Sequence, residues 1–578
     1  MAEDLYKHGK VLGHPSGLFV LFFTEMWERF SYYGMRALLV IFLIGEITGD
    51  NPGWGWDRSA ALSLLGTYTM MVYLTPILGG YIADKIIGYR YAVVIGALLM
   101  TMGHASMAVE TPTFLYIGIA LLIFGNGFFK PNMTSIISKM YEKFPEKKDG
   151  AYTIFYMGVN AGAFLGIMLC GYLGEMVSWS FGFGLAGIFM FFGMLQFWFA
   201  APIFGEIGAK PDPESVKAVE VPEGDRLNPF TMLDKVLIGA FALLSILWIL
   251  NDPLSEIGNN PILGDGAKSD LANGVILAAL VCFLVVLISR LTRYTPIIRD
   301  RLIAVAVFAF FTVFFWAAFE QAAGSMSIFA KDYTARALEG SAAGLFKTVD
   351  TILTIIPLAI ITWVLYKLFS QTFQTISLSN VILGFSFVLI WGIVIYKLNR
   401  EFSNTGTEVP ATWFAILNSL FIIMFAPLFS KWWESKYNPS AAIKYGFGLS
   451  LLGIGFGFLV IGAMGIPQGA KTAEVSMLWL VMAYLFHTLG ELCLSPVGLS
   501  YVSKLVPGRM IAFMFGIWYL AIAIGNKIAH TTGGMIDEIT AEYSLSTFFL
   551  IFTIVPIAAG VVVMLLNPML KRLMHGVH

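Results

Sequence analysis

Residues 25–36 read Glu25-Met-Trp-Glu28-Arg29-Phe-Ser-Tyr32-Tyr33-Gly-Met-Arg36. Four charges stand inside an otherwise apolar stretch from about Gly17 to Ile44. That stretch is long enough to cross a bilayer, for which roughly 20 apolar residues suffice. A charge at the centre of such a helix costs about 2.5–3.5 kcal/mol on insertion scales. A helix that keeps four of them points to their use. Glu25, Glu28, Arg29, Tyr32, Tyr33 and Arg36 fall within an arc of roughly 140° on a helical wheel. Phe23, Met26, Phe30 and Ala37 form the opposite, apolar face. A polar stripe on a membrane helix belongs against a bundle interior or an aqueous cavity. Within it Glu25 and Arg29 are four apart and can pair.

The rest of the chain has the same character. It has 578 residues, 57% hydrophobic and only 13% charged, where a soluble domain carries about 25% charged. Apolar segments are expected at about 17–45, 59–84, 91–109, 113–140, 150–178, 180–203, 233–251, 272–292, 302–331, 343–368, 379–398, 410–433, 441–465, 475–505, 509–533 and 545–569. A polar linker, about 204–232, carries Lys210-Pro-Asp-Pro-Glu214 and Pro222-Glu-Gly-Asp-Arg226, a composition for a loop outside the bilayer. Met1 to Ser16 is polar and does not read as a signal peptide. Cys170, Cys282 and Cys493 lie far apart in apolar segments and read as small packing residues. Net charge is −1, which argues against a nucleic-acid partner. With the N-terminus cytoplasmic, Lys7, Lys10, Lys85, Arg90, Lys139, Lys143, Lys147 and Lys148 fall inside. Little beyond Arg58 falls outside in the first six helices, the asymmetry expected of short loops.

Few other charges sit in the apolar segments. Lys130 lies in Gly125-Asn-Gly-Phe-Phe-Lys-Pro-Asn132, Glu320 in Phe315-Trp-Ala-Ala-Phe-Glu-Gln321, and Glu491 in Gly490-Glu-Leu-Cys-Leu-Ser-Pro-Val-Gly498. Arg29, Arg36 and Lys130 thus stand against Glu25, Glu28, Glu320 and Glu491. One added proton makes the set neutral. Burial disfavours a charged carboxylate, so such a set can carry that proton. No nucleophile–base set or metal-ligand cluster is present, so an enzyme and a metal site are not expected, nor a cofactor.

Glu25-x-x-Glu28-Arg29-Phe30-x-Tyr32-Tyr33 resembles the signature of proton-dependent oligopeptide transporters, the POT or PTR family of the major facilitator superfamily. Tyr73-Leu-Thr-Pro-Ile-Leu-Gly79 and the three stretches around Lys130, Glu320 and Glu491 agree with it. Gly80-x-x-x-Asp84 with Gly88 and Arg90 resembles the superfamily's loop motif. The resemblance implies an all-α membrane protein with the major facilitator fold, two six-helix bundles plus extra transmembrane helices. It implies proton coupling by Glu25, Glu28, Arg29 and Lys130. Arg36 and Lys130 would attract a peptide's carboxylate. Glu491 would hold its amino group, helped by Asn160 and Asn418. Tyr33, Tyr68, Trp316, Ser495 and Trp518 would complete the substrate-binding set. Arg36 with Glu320 would form the outer gate, and Lys130 with Glu491 the inner one.

The sequence departs from the family at several points. Some members carry a histidine in the second helix where this chain has Gly66, so His104 and His487 remain as the buried histidines. Ser419 follows Asn418 where proline is common, so less kinking is expected. One helix pair, at about 233–292, resembles the pair that bacterial members insert between their halves. Another, at about 343–398, has no place in a twelve-helix core. Lys347 and Asp350 at its start could pair or lie near an interface.

The division expected is a first six-helix bundle over 1–203, a linker and helix pair over 204–298, a second bundle over 299–333 and 410–578, and an inserted pair over 334–409. The function expected is proton-driven symport of di- and tripeptides by alternating access, by a monomer in a cell inner membrane. The alternative is a related proton-coupled carrier of another small anion or peptide-like drug. Nitrate would leave Glu491 without an amino group to bind. A non-transporting receptor would not need charges on four helices.

Overall fold

The computed structural model describes residues 7–142, 144–210, 228–257, 260–264, 269–506 and 511–577; the linker's Pro211 to Arg226 stretch lies outside them. Sixteen long helices dominate. The first six are α1 (Ser16–Leu43), α2 (Arg58–Ile82), α3 (Tyr89–Met107), α4 (Pro112–Met140), α5 (Pro145–Met176) and α6 (Trp179–Phe199). α7 (Met232–Glu256) and α8 (Asp270–Leu291) follow, then α9 (Pro296–Phe319) and the short α10 (Ser325–Asp332). After them come α11 (Gly340–Thr372), α12 (Ser377–Ser403), α13 (Ile416–Trp433), α14 (Ala441–Ala463), α15 (Leu478–Leu505) and α16 (Ile511–Gly534). The short α17 (Ile536–Glu542), α18 (Leu545–Leu565) and the short α19 (Asn567–Leu573) end the chain. Two short antiparallel strand pairs join Lys10–Val11 to His14–Pro15 and Ala337–Leu338 to Thr407–Glu408, the second closing over the inserted helix pair.

Thirteen helical stretches among the described residues are long and apolar enough to cross a membrane. α1 is not one of them, because any 18-residue stretch of it includes at least three charged residues. α1 is nonetheless the most enclosed helix, packed against α5 and α6. Close approach explains the glycine of the Tyr-Tyr-Gly motif: a Cβ on Gly34 would lie 2.7 Å from the Cys170 sulfur of α5. Small residues of this kind let membrane helices meet backbone to backbone. α3 packs on α4 and α6, and α4 also on α2. In the second half α14 packs on α15 and α18, α9 on α16, and α13 on α15. Two seams join the halves, α2 with α16 and α5 with α13.

The structure corrects two boundaries. The segment expected at 302–331 is interrupted. α9 ends at Phe319, a 3₁₀ turn runs from Glu320 to Ala323, and α10 starts after Gly324. Side chains hold this break: Gln321 donates to the Ala529 carbonyl (2.6 Å) and accepts from the Ser325 hydroxyl (2.6 Å). The segment expected at 410–433 starts as a 3₁₀ turn, Ala411–Ala415, after Pro410, which has no N–H to continue a ladder. Nor do Lys347 and Asp350 pair with each other. Asp350 is paired with Lys397 of α12, and Lys347 donates to the Asn404 carbonyl (2.7 Å).

Candidate functional site

The polar stripe of α1 faces inward, with Glu25, Glu28 and Arg29 all at 5% exposure or less. Arg29 Nε donates to Glu25 Oε1 at 2.8 Å, one turn back along α1. Glu28 Oε2 lies 2.8 Å from the same nitrogen, a charge contact off the N–H direction. One guanidinium is thus shared by two carboxylates, an arrangement that leaves a net negative charge unless one carboxylate holds a proton. The other Glu28 oxygen accepts from Asn126 Nδ2 of α4 at 3.0 Å. Asn126 was not among the expected site residues. Its signal was visible: a lone amide between Gly125 and Gly127, one turn before Lys130.

Lys130 forms no ion pair among the described residues. Its ammonium sits 4.3 Å from the centre of the Tyr73 ring, a cation–π contact that holds a cation without neutralising it. Across the molecule, Glu491 accepts from Asn418 Nδ2 at 2.9 Å, and Asn418 also reaches the Thr488 hydroxyl at 3.1 Å. Lys130 and Glu491 are therefore not joined, whereas Arg36 is ion-paired with Glu320. The helix break after Phe319 places Glu320 on a 3₁₀ turn facing α1.

The remaining expected residues are dispersed around these charges. Tyr33 packs edge-on against Tyr32 (5.0 Å), and the buried Tyr68 lies 6.1 Å from Tyr32. Asn160 turns back to its own helix, donating to the Tyr156 carbonyl at 3.0 Å, and does not bond Glu491. Trp316 packs edge-on with Phe319 (5.3 Å). Trp518 is buried against Gly498. The Ser495 hydroxyl is buried with no hydrogen-bond partner among the described residues.

Two features escaped sequence reasoning. His530 of α16 is buried, as His104 and His487 are. It lies against Gly66: a Cβ there would stand 2.8 Å from the His530 Cβ. The glycine that replaces a family histidine makes room for a histidine from the other half. The second feature is Arg58, whose fork reaches Asp332 of α10 and Asp537 of α17, both at 2.6 Å, and the Tyr333 hydroxyl at 3.2 Å. A single basic residue at the start of α2 gave no hint of these partners, which are more than 270 residues away.

This is the architecture of a multi-pass membrane transporter with the major facilitator fold, its charges gathered at the interface of two halves. The chain matches the POT family over residues 90–399 and 386–551, and it belongs to that family. It is 31% identical over 571 residues to the uncharacterized transporter YclF of Bacillus subtilis, covering 98% of this chain and 96% of that one. It is 28% identical to a di-/tripeptide transporter of Lactococcus lactis subsp. cremoris, covering both in full. Among solved structures it is similar to a mutant of the peptide transporter POT in complex with alafosfalin, with 27% identity and a TM-score of 0.70 over the whole of both chains. A POT family transporter in complex with 5-aminolevulinic acid matches with 25% identity and a TM-score of 0.71, covering 97% of this chain and 98% of that one.

Proposed function

We propose that this chain is a proton-coupled symporter that imports di- and tripeptides by alternating access across a cell inner membrane, its N-terminus cytoplasmic. The observation that carries the reading is the opposite condition of two cross-bundle pairs. Arg36 holds Glu320, while Lys130 and Glu491 each keep other partners. A carrier needs one gate shut when the other is open, and in this orientation the shut gate faces outside.

Substrate recognition follows from charge placement. A short peptide presents a carboxylate and an ammonium some 5–10 Å apart, given about 3.3–3.6 Å per residue. Arg36 and Lys130 supply cationic poles, and Glu491, oriented by Asn418, the anionic one. Tyr33, Tyr68, Asn160, Trp316, Ser495 and Trp518 surround the side chains. Poles and walls of this kind read the backbone termini common to all peptides. The related di-/tripeptide transporter, and the neighbours holding alafosfalin and 5-aminolevulinic acid, support a ligand with both an amino and an acidic end.

Proton coupling rests on the shared Arg29. With both carboxylates ionised, the guanidinium is divided between Glu25 and Glu28. A proton on one frees it for the other and removes the excess negative charge near Lys130. Arg36 is eight residues from Glu28, about 12 Å along the helix, so proton and substrate chemistry occupy different depths.

The test is uptake of labelled dialanine into proteoliposomes with and without an acidic exterior. Acceleration and accumulation under the gradient are expected. Equal uptake in both conditions would refute symport. Uptake of nitrate, unopposed by dialanine, would move the reading to the anion alternative.

A further inference from the structure

The inserted pair α11–α12 lies between α10 and α13 in the chain, yet it packs on the first half. Phe387 of α12 meets Phe23 and Trp27 of α1, each at 5.7 Å. Ser379 donates to the Gln196 carbonyl of α6 (2.8 Å), and Thr354 of α11 reaches the Met168 sulfur of α5 (2.9 Å). The opposite side of the pair, including Ile352, Ile356, Ile360, Val388 and Ile395, is exposed and apolar, suited to lipid. The first bundle therefore carries this pair as part of its own body.

At one end the pair reaches across the α5–α13 seam. Asp350 Oδ1 accepts from Trp413 Nε1 at 3.0 Å, and Phe346 packs edge-on against the same ring at 5.3 Å. Trp413 belongs to the 3₁₀ turn that starts α13, five residues before Asn418. Lys397 secures Asp350 from α12 and stands 3.6 Å from Glu401. Asp350, Lys397 and Glu401 are all buried. Beside them Glu175 of α5 accepts from the Ala411 N–H (2.8 Å), the Thr412 N–H (2.9 Å) and the Thr412 hydroxyl (2.6 Å). Two carboxylates attached to the first bundle thus grip the first turn of a second-bundle helix, the helix whose Asn418 orients Glu491.

We propose that α11–α12 is a clasp: it moves with the first bundle and, through Asp350 on Trp413, holds the start of α13 in the state closed at the Arg58 end. Asp350 is a positioning residue for Asn418 and Glu491. This rests on the alternating-access reading. Opening that end separates α13 from α5, so the Asp350–Trp413 bond must break while the contacts to α1, α5 and α6 persist.

The test uses the full chain in proteoliposomes, with Cys170, Cys282 and Cys493 replaced and spin labels placed in pairs at three exposed sites. These are Asp50 (first half), Glu474 (second half) and Ser403 (the clasp). Distances are recorded with and without dialanine at neutral and acidic pH. The expected result is a constant Ser403–Asp50 distance while Ser403–Glu474 and Asp50–Glu474 change together. A Ser403–Asp50 distance that changes while Ser403–Glu474 stays fixed would overturn the clasp. No change in Asp50–Glu474 would instead refute alternating access itself. In Trp413→Phe, which keeps the ring and removes the donor, the closed-to-open ratio should fall by roughly 10- to 150-fold, the scale of a hydrogen bond to a charged group. KM for dialanine should change by a different factor from kcat. A folded Trp413→Phe protein with parental distances and kinetics would remove the positioning role; should it fail to fold, the three label pairs decide the matter alone.

Discussion

Arg58 offers the sharpest test of how the two halves are held together. It stands at the first turn of α2, and its guanidinium joins Asp332 and Asp537 of the second half. The Asp332 pair is well covered, with side chains 11% and 17% exposed, whereas Asp537 is 48% exposed. A hydrogen bond to a charged group contributes about 1.5–3 kcal/mol, and an exposed ion pair about 0–1 kcal/mol. Arg58→Ala should therefore cost the closed state about 1.5–4 kcal/mol, roughly a 10- to 700-fold fall in the closed-to-open ratio. Asp332→Asn should reproduce most of that loss and Asp537→Asn little of it. Arg58→Lys should be intermediate, because an ammonium cannot fork between two carboxylates as a guanidinium does. The assay is the Asp50–Glu474 label distance in proteoliposomes, with counterflow exchange of dialanine as the check on folding. Equal effects of the two aspartate variants, or an unchanged distance in Arg58→Ala, would refute the assignment of burial as the source of strength.

Three further outcomes follow from the same geometry. Glu28→Gln should abolish gradient-driven accumulation of dialanine while leaving counterflow largely intact, since the proposed proton site is removed but the proposed gate pairs remain; loss of both in a well-folded protein would assign Glu28 to packing. Glu491→Gln should raise KM for dialanine many-fold and spare N-acetyl-dialanine, and equal losses for the two would remove Glu491 as the amino pole. Asp252→Asn should lower thermal stability by about 1–3 kcal/mol by removing a partly buried carboxylate from beside the buried Lys527, and adding Lys527→Met should restore much of it; no rescue by the second change would show that the pair is not the cause.

What the sequence revealed depends on whether the signal was local. The Glu25–Arg36 stripe, the apolar segments and the Glu25–Arg29 pair all follow from helical spacing, so they were legible. The break after Phe319 was not, because Gln321 makes it through Ala529, more than 200 residues away. Asn126 had a local signal, an amide between glycines, but its partner Glu28 lies on another helix. His530 was overlooked for a related reason: Gly66 announced a missing side chain, and only packing shows which helix fills the gap. Asp350 looked like a partner for Lys347 by spacing, yet Lys397 and Trp413 claim it across the fold. Ion-pair choice among several nearby charges is decided by tertiary approach, which spacing within one helix does not encode.

The two accessory helix pairs gain meaning when set beside the two seams. α11–α12 lies on the α5–α13 seam and places Asp350 with Lys397 there. α7 lies on the other seam, where Ile249 packs with Met70 of α2 and Ala523 of α16. It places Asp252 between the Ser63 hydroxyl of α2 (2.7 Å) and Lys527 of α16. Each seam thus carries an aspartate from an accessory helix paired with a buried lysine, Lys397 of accessory α12 on one and Lys527 of core α16 on the other, with Asp252 itself only partly buried. A buried ion pair is weak evidence for added stability, because desolvation offsets much of its attraction. Relative displacement acts on the contacts that cross each seam, Asp252 with Lys527 on one and Asp350 with Trp413 on the other, whereas Asp350 and Lys397 travel together. Under the alternating-access proposal, charges that bridge the two bodies therefore act on the balance between states more than on the stability of either body. That distinguishes the accessory pairs from passive lipid-facing additions, which would need only apolar contacts at the seams.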